Sequence, residues 1–237
     1  MNKLIEVKNL TVRYSSKQKI FGRKELHMTA VDNISFDFYK GDVLGIVGES
    51  GSGKSTIARC LLNIIKNVDP DSHVSGEIIY EGTDLLKMKG ARLRETRKKI
   101  QGIFQDPDSS LNGIYTAGEI VEEPLKYLSD ISKEERVKRV HDVMVKCGLK
   151  ESDAEKYPAE FSAGQKQRIC IARALVTEPE ILIADEPLSS LDISIQGQII
   201  NLLLDLREKY NLSIIFITHD LNVVRVFCNR VIEMKVI

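Results

Sequence analysis

The chain has 237 residues, with 34 basic and 34 acidic side chains, 43% hydrophobic residues and four cysteines. This composition is typical of a soluble globular protein with one large domain or a core plus a subdomain, and it argues against disordered, collagen-like and disulfide-rich classes. The zero net charge gives no electrostatic reason to expect nucleic acid or an acidic membrane surface as a partner.

The sequence predicts neither a signal peptide nor a membrane span. Charges at Lys3 and Glu6 interrupt the N-terminal apolar stretch. The longest apolar runs, such as Ile181–Ala184 and Ile214–Ile217, are far shorter than the roughly 18 residues that a spanning helix needs. Any role at a membrane is therefore expected to come through a partner. The cysteines form no C-x-x-C pair and are expected to be buried free thiols of a reducing cytoplasm: Cys60, Cys147, Cys170 and Cys228.

Apolar and polar residues alternate in the N-terminal region, most clearly over Leu4–Val12 and Ile34–Phe38. A period of two residues predicts half-buried strands. The segment between them, Ser15–Thr29, is polar and basic and predicts an exposed loop or hairpin excursion. A basic patch for nucleic acid is the alternative, which the zero net charge disfavours.

From Val43 onward, buried strands alternate with helices. Val43–Val47 is a continuous apolar run, which is typical of a strand buried on both faces. A predicted helix follows at Thr56–Ile65, and the charged region Glu119–Cys147 has apolar residues at helical spacing. Strands and helices alternating toward the C-terminus predict a parallel α/β sheet with an inserted helical subdomain. The later segments are 180–184, 193–210, 212–217, 221–227 and 231–234.

A glycine-rich segment after the first buried strand matches the phosphate-loop pattern G-x-x-x-x-G-K-[ST]. Glycines allow backbone N–H groups to surround phosphate oxygens, and the helix that begins near Lys54 directs its positive end toward them. Lys54 is expected to reach the β- and γ-phosphates, and the Ser55 hydroxyl to ligate Mg²⁺. A tight turn without a nucleotide is the alternative. The predicted nucleotide-binding residues are Gly48, Glu49, Ser50, Gly51, Ser52, Gly53, Lys54, Ser55 and Thr56.

Polar side chains follow two other apolar strands. Asp185 is predicted to hold Mg²⁺ through its water shell, and Glu186 to polarise an attacking water. His219 is predicted to contact the γ-phosphate, because neighbouring parallel strands present their carboxyl ends at one edge of a sheet. Acidic pairs and histidines at strand ends also serve as caps or core residues, so these predictions depend on the phosphate loop.

With these motifs, the sequence resembles the ATP-binding subunits of ABC transporters over essentially its whole length. Ile103–Pro107 resembles the Q-loop of that family, Phe161–Gln165 the signature, and Ser189–Asp192 the D-loop. His219 resembles the switch histidine, and Tyr14 matches the aromatic residue that stacks on adenine, although a strand tyrosine is more often simply packed.

The resemblance implies an α/β fold: a P-loop NTPase core with a mostly parallel sheet and helices, an N-terminal antiparallel β region and an inserted helical subdomain. Residues 1–237 would form a single ABC ATPase cassette. Its RecA-like core would comprise 1–104 and 168–237, and the helical signature subdomain 105–167.

The resemblance also implies ATP and Mg²⁺ as cofactors and a head-to-tail pair of ATPase subunits with two ATPs at their interface. Each ATP would lie between the phosphate loop of one subunit and the signature of the other. The implied catalytic residues are Lys54, Gln105, Glu186 and His219; the implied Mg²⁺ ligands are Ser55, Gln105 and Asp185. The implied contacts to the partner's nucleotide are Ser162, Gly164 and Gln165.

A narrower resemblance points to the oligopeptide, dipeptide and nickel importer branch. It is carried by Gln105–Asn112, Tyr157–Ser162, Leu191–Gln196 and the long insertion between Tyr14 and Val31. It implies an ATP-hydrolysing subunit that lies peripherally on the cytoplasmic face of the membrane.

The partners implied by this branch are a second ATP-binding subunit, usually a different chain although a homodimer is an alternative, and two membrane-spanning permease subunits. An extracytoplasmic solute-binding protein acts indirectly, and no nucleic acid is involved. The surface around Gln105–Tyr115 would receive a permease helix. The alternatives are an exporter ATPase, a soluble ABC ATPase and a non-hydrolysing ATP switch. The presence of Glu186 and His219 disfavours a non-hydrolysing ATP switch.

Two features depart from the branch. Ala163 replaces the first glycine of the signature pair, and the sequence stops at Ile237, where members of the branch usually continue. If position 163 needs a positive φ, alanine adds strain and weakens one of two unequal ATP sites. If Ala163 is in an ordinary helical conformation, the alanine adds no backbone strain.

Overall fold

The computed structural model describes residues 2–16 and 26–236. The chain divides into two compact units: unit 1 comprises Met1–Leu93 and Ile215–Ile237, and unit 2 comprises Arg94–Ile214. The expected division into a core of 1–104 and 168–237 with a subdomain of 105–167 stays a prediction.

An antiparallel sheet occupies the N-terminal part of unit 1. Its strands are β1 (Lys3–Ser16), β2 (Leu26–Tyr39), β4 (His73–Tyr80) and β5 (Thr83–Asp84), in the order β2-β1-β4-β5. The alternating apolar residues of β1 are buried, as their period of two predicts.

The β1–β2 ladder continues to Ser16 opposite Leu26. Ser15, Ser16 and residues 26–29 are therefore paired strand, which agrees with the hairpin alternative for Ser15–Thr29 and corrects the loop alternative at these residues. The rest of that segment, residues 17–25, lies outside the described residues.

The second layer of unit 1 is built on the buried strand β3 (Val43–Gly48). β3 pairs in parallel with β9 (Arg230–Met234), and its other neighbour is β8 (Ser213–Thr218), which contains one boundary between the units. The helices of this unit are α1 (Lys54–Leu61), α2 (Ile65–Val68) and α9 (Leu221–Phe227), and a 3₁₀ turn lies at Leu85–Lys87.

The single helix predicted for Thr56–Ile65 is interrupted after Leu61. Asn63 has a left-handed conformation with φ of 50°, and its side-chain amide donates to the Leu85 carbonyl at 2.6 Å. This contact is distant in sequence, so local helix propensity did not reveal the break.

Unit 2 contains a parallel strand pair and most of the helices. β6 (Ile100–Ile103) and β7 (Ile181–Asp185) align Ile103 with Ala184. The helices are α3 (Gly90–Lys99, which contains the other unit boundary), α4 (Pro107–Ser110), α5 (Ala117–Leu128), α6 (Lys133–Lys146), α7 (Ala163–Leu175) and α8 (Ile193–Tyr210), with 3₁₀ turns at Glu151–Glu155 and Pro158–Glu160.

The predicted helical region Glu119–Cys147 forms two helices, α5 and α6. Thr116 and Ser132 cap their N-termini through hydrogen bonds to the amides of Glu119 and Glu135. Capping residues of this type are strongly preferred at helix starts.

The cysteines are free thiols, as the sequence predicts: Cys60, Cys147 and Cys170 are buried and Cys228 is half-buried. Burial raises the pKa of Cys60, Cys147 and Cys228 to about 12 and that of Cys170 to about 11. These thiols are protonated at neutral pH and unreactive as nucleophiles.

Candidate nucleotide-binding site

The phosphate loop of unit 1 joins the buried strand β3 to helix α1. Gly53 is the N-cap of α1 and has φ of 89°. A Cβ at this position would lie 2.0 Å from the Ala30 carbonyl oxygen. Glycine is therefore required both by the left-handed backbone and by the close approach of β2.

The N-cap of α1 is a glycine, which has no side chain that could cap the helix. The first N–H groups of a helix have no partner within the helix and carry the positive end of its dipole. The amides at the start of α1 are therefore candidate donors to an anion.

Lys54 folds back over the loop that precedes it. Its Nζ atom donates to the carbonyl oxygens of Gly48 and Glu49, at 2.8 Å each, and only 4% of the residue is exposed. These bonds hold the ammonium group beside the loop backbone. The charge is therefore positioned before any phosphate arrives.

Two side chains around the loop fit a nucleotide. Within the described part of the chain, the Oγ atom of Ser52 is buried and has no hydrogen-bond partner. A buried hydroxyl without a partner costs about 1–3 kcal/mol, which a phosphate oxygen would relieve. The Tyr14 hydroxyl lies 3.0 Å from the Thr56 Oγ1 atom, so the aromatic residue of β1 lies next to the first turn of α1.

His219 lies at the same edge of unit 1 as the phosphate loop. It follows β8, which neighbours β3 in the parallel sheet, and the carboxyl ends of both strands therefore point the same way. The turn is fixed by Thr218 Oγ1, which accepts from the Asp220 amide at 3.0 Å, and by Asp220, which caps α9. His219 is exposed at this turn.

Three other predicted residues follow or end the paired strands of unit 2. Gln105 lies two residues beyond β6 and Asp185 ends β7, and because Ile103 pairs in parallel with Ala184, both positions are at the carboxyl end of this strand pair. Glu186 follows directly. Amide and carboxylate oxygens are the donors that Mg²⁺ prefers, so this donor set suits the metal.

The backbone at Glu186 is strained. This residue has φ of 47°, and its carbonyl accepts from the Ser189 amide at 3.3 Å and the Ser189 hydroxyl at 3.1 Å. A non-glycine residue in the left-handed region costs about 1–2 kcal/mol.

The signature segment forms the start of α7. Ser162 is the N-cap: its Oγ atom accepts from the Gln165 amide at 3.4 Å, and the Gln165 Oε1 atom accepts from the Ser162 amide at 3.0 Å. This reciprocal pair is a capping box. Ser162 and Gln165, which are predicted to contact the partner's nucleotide, therefore also stabilise the start of α7 within the single chain.

Ala163 is the first residue of α7, is exposed, and is not among the residues with positive φ. The strain considered for this position is therefore absent, and the ordinary helical alternative is correct. The close approach occurs at Gly164, where a Cβ would lie 2.7 Å from the Ile195 Cγ2 atom of α8.

The comparisons with known proteins identify the family. A sequence profile described as "ABC transporter" matches residues 31–189. The chain belongs to the ABC transporter family. The oligopeptide transport ATP-binding protein OppF of Salmonella typhimurium is 45% identical over 98% of this chain and 68% of its own length. The dipeptide transport ATP-binding protein DppF of Lactococcus lactis is 43% identical over 97% of this chain and 70% of its own.

A solved ABC structure has the same fold. The dimeric ATP-binding cassette MJ0796, in a post-hydrolysis state bound to ADP and Pi, superposes with a TM-score of 0.79 at 34% identity, covering 98% of this chain and 94% of the other. The predicted P-loop NTPase fold, the resemblance to the oligopeptide and dipeptide branch and the ABC-type ATPase activity are confirmed. The relatives do not favour the exporter or soluble alternatives. Among the described residues, no helix combines the length and apolarity needed to cross a membrane.

Proposed function

We propose that this ABC ATPase powers the import of peptides, with nickel as the other solute of the branch, through ATP-driven closure of a dimer. The observation that supports the proposal is the phosphate loop, in which the buried Lys54 donates to the carbonyls of Gly48 and Glu49 at the start of α1. The similarity to oligopeptide and dipeptide transport proteins supports the solute class.

Lys54 and the amides at the start of α1 bind the β- and γ-phosphates, and Tyr14 packs on the base. Glu186 polarises the attacking water and takes its proton, while His219 contacts the γ-phosphate. Bound Mg²⁺ would neutralise charge on the phosphates, with Ser55, Gln105 and Asp185 as its protein ligands.

The proposed assembly contains a second ATP-binding subunit and two membrane-spanning permeases at the cytoplasmic face of the membrane. Ser162, Gly164 and Gln165 of this chain complete the partner's site, so closure requires ATP and hydrolysis releases it. The permeases dock on Gln105–Tyr115, where Ile114 and Tyr115 are 74% and 45% exposed.

The test is to purify the complex from native membranes through a tag on this chain. We expect a second ABC ATPase and two permeases to co-purify, and peptides delivered by the binding protein to stimulate ATP hydrolysis. Residues 105–115 should be protected from hydrogen exchange in the complex relative to the isolated chain. Stimulation by a solute other than peptides or nickel would overturn the solute class, and robust hydrolysis by a dilute monomer would overturn the shared-site mechanism.

A further inference from the structure

An ion pair joins the signature helix α7 to the short helix α4 that directly follows Gln105. The Lys166 Nζ atom lies 2.5 Å from the Asp108 Oδ1 atom. The side chain of Lys166 is only 18% exposed, whereas that of Asp108 is 70% exposed. The two residues are 58 positions apart in the sequence. Their pairing is therefore a property of the fold of unit 2.

A second cation of α7 holds the other end of α4. The Arg173 guanidinium donates to the Ser110 carbonyl at 2.7 Å. Lys166 and Arg173 are two helical turns apart, so they lie on the same face of α7. The four-residue helix α4 is thus held at both ends by side chains of the signature helix.

Apolar contacts and local hydrogen bonds also keep α4 in place. Pro107 and Leu111 are buried, and the Asp106 side chain caps α4 by accepting from the Asp108 amide at 3.0 Å. An exposed ion pair adds only about 0–1 kcal/mol to stability. The pair between Asp108 and Lys166 is therefore not needed to form α4; together with the Arg173 hydrogen bond, it connects α4 to α7.

The first turn of α7 also contacts the segment after Ser189–Asp192. Gly164 lies against Ile195 of α8, so closely that no other side chain fits without movement. The start of α7 is consequently fixed to α4 by charge and to α8 by packing. A displacement of α4 would act directly on the turn that carries Ser162.

We propose that Lys166 is a positioning residue whose ion pair with Asp108 makes the permease-docking segment and the signature turn move as one body. The proposal rests on the proposed function, in which Gln105–Tyr115 receives the permease and Ser162 meets the partner's nucleotide. A permease movement at α4 then reaches the composite ATP site without a change in ATP binding by this chain's own phosphate loop.

The test compares single and paired charge changes in the complex purified from native membranes. Asp108→Asn and Lys166→Met each remove the pair, and the second keeps the buried aliphatic stem. We expect kcat for ATP hydrolysis to fall about three- to tenfold while KM for ATP changes less than about twofold. The double change Asp108→Lys with Lys166→Asp should restore at least half of the lost kcat.

The matched control is Arg139→Gln, which breaks an ion pair with Glu135 inside the single helix α6 of the same unit. This change should leave kcat and KM as in the unmodified complex. Hydrogen exchange gives a readout independent of turnover: ATP should protect both α4 and the start of α7 in the unmodified complex, but only the start of α7 in Asp108→Asn.

Wild-type kcat in both single variants, or a loss that the exchanged pair fails to restore, would overturn the proposal. The proposal would also be overturned if ATP protected both α4 and the start of α7 from hydrogen exchange in Asp108→Asn. An unmodified complex that lacks permeases or ATP hydrolysis would instead refute the proposed function, so the two failures are distinguishable.

Discussion

The phosphate loop and the signature turn both begin a helix, but their helix starts are built differently. At α1 the N-cap is Gly53, which has no side chain to bond to the first amides. At α7 the N-cap is Ser162, and a capping box with Gln165 uses two backbone donors. The N-cap of α1 therefore supplies no acceptor to the first amides, whereas the N-cap of α7 supplies its hydroxyl oxygen. This difference predicts that ATP binds first at the phosphate loop and that the signature acts only after the partner closes.

The largest effect is expected for Lys54→Ala, which removes the ammonium group that contacts the phosphate-loop backbone at the start of α1. ATP binding or hydrolysis in the assembled complex should be abolished, because charge stabilisation of the transferring phosphoryl group is lost. Fluorescent-nucleotide titration and phosphate release measure the two steps. Lys133→Ala, at the exposed start of α6, is the control and should bind ATP normally. Unchanged hydrolysis in Lys54→Ala would contradict the assignment of the loop.

Glu186→Gln separates ATP binding from hydrolysis. The amide keeps the shape of the side chain but loses charge and basicity, so ATP should still bind while turnover falls by about 10²-fold or more. Size-exclusion chromatography with ATP should show a trapped closed dimer. Turnover at the wild-type rate would mean that another group polarises the water.

Gly164→Ala tests the signature side of the comparison. The added methyl would meet Ile195 at 2.7 Å, and a β-branched side chain moves little. We expect a loss of about 1–3 kcal/mol in the free energy of unfolding, together with reduced turnover in the complex. Nucleotide affinity of the isolated chain should stay unchanged, because the phosphate loop does not depend on this contact. Thermal unfolding and nucleotide titration of the same variant check both statements.

The smallest effect is expected for Ala163→Gly, which restores the usual residue of the signature pair. Ala163 is helical and exposed, so the change removes no strain, and stability should fall by at most about 1 kcal/mol. Turnover of the complex should not rise. A clear gain would show that the methyl group obstructs the partner's nucleotide and would revive the case for two unequal sites.

Local patterns in the sequence predicted much of this protein. The alternation in β1, the phosphate loop and the whole of α8 could be read directly, because each depends on the spacing of neighbouring residues or on glycine conformations within one turn. The helix start at Ala163 is also a local pattern, and the capping box between Ser162 and Gln165 lies within it.

Tertiary structure decided which residues in and near these motifs are constrained by contacts with other segments. The break at Asn63, the contact of Gly164 with Ile195 and the pairing of Asp108 with Lys166 all join segments far apart in the chain. Sequence spacing carries no information about such contacts, because they exist only after the helices pack. For the same reason, the sequence motif indicated strain at Ala163 as one of two alternatives, whereas the packing of α7 against α8 requires a glycine one residue later, at Gly164.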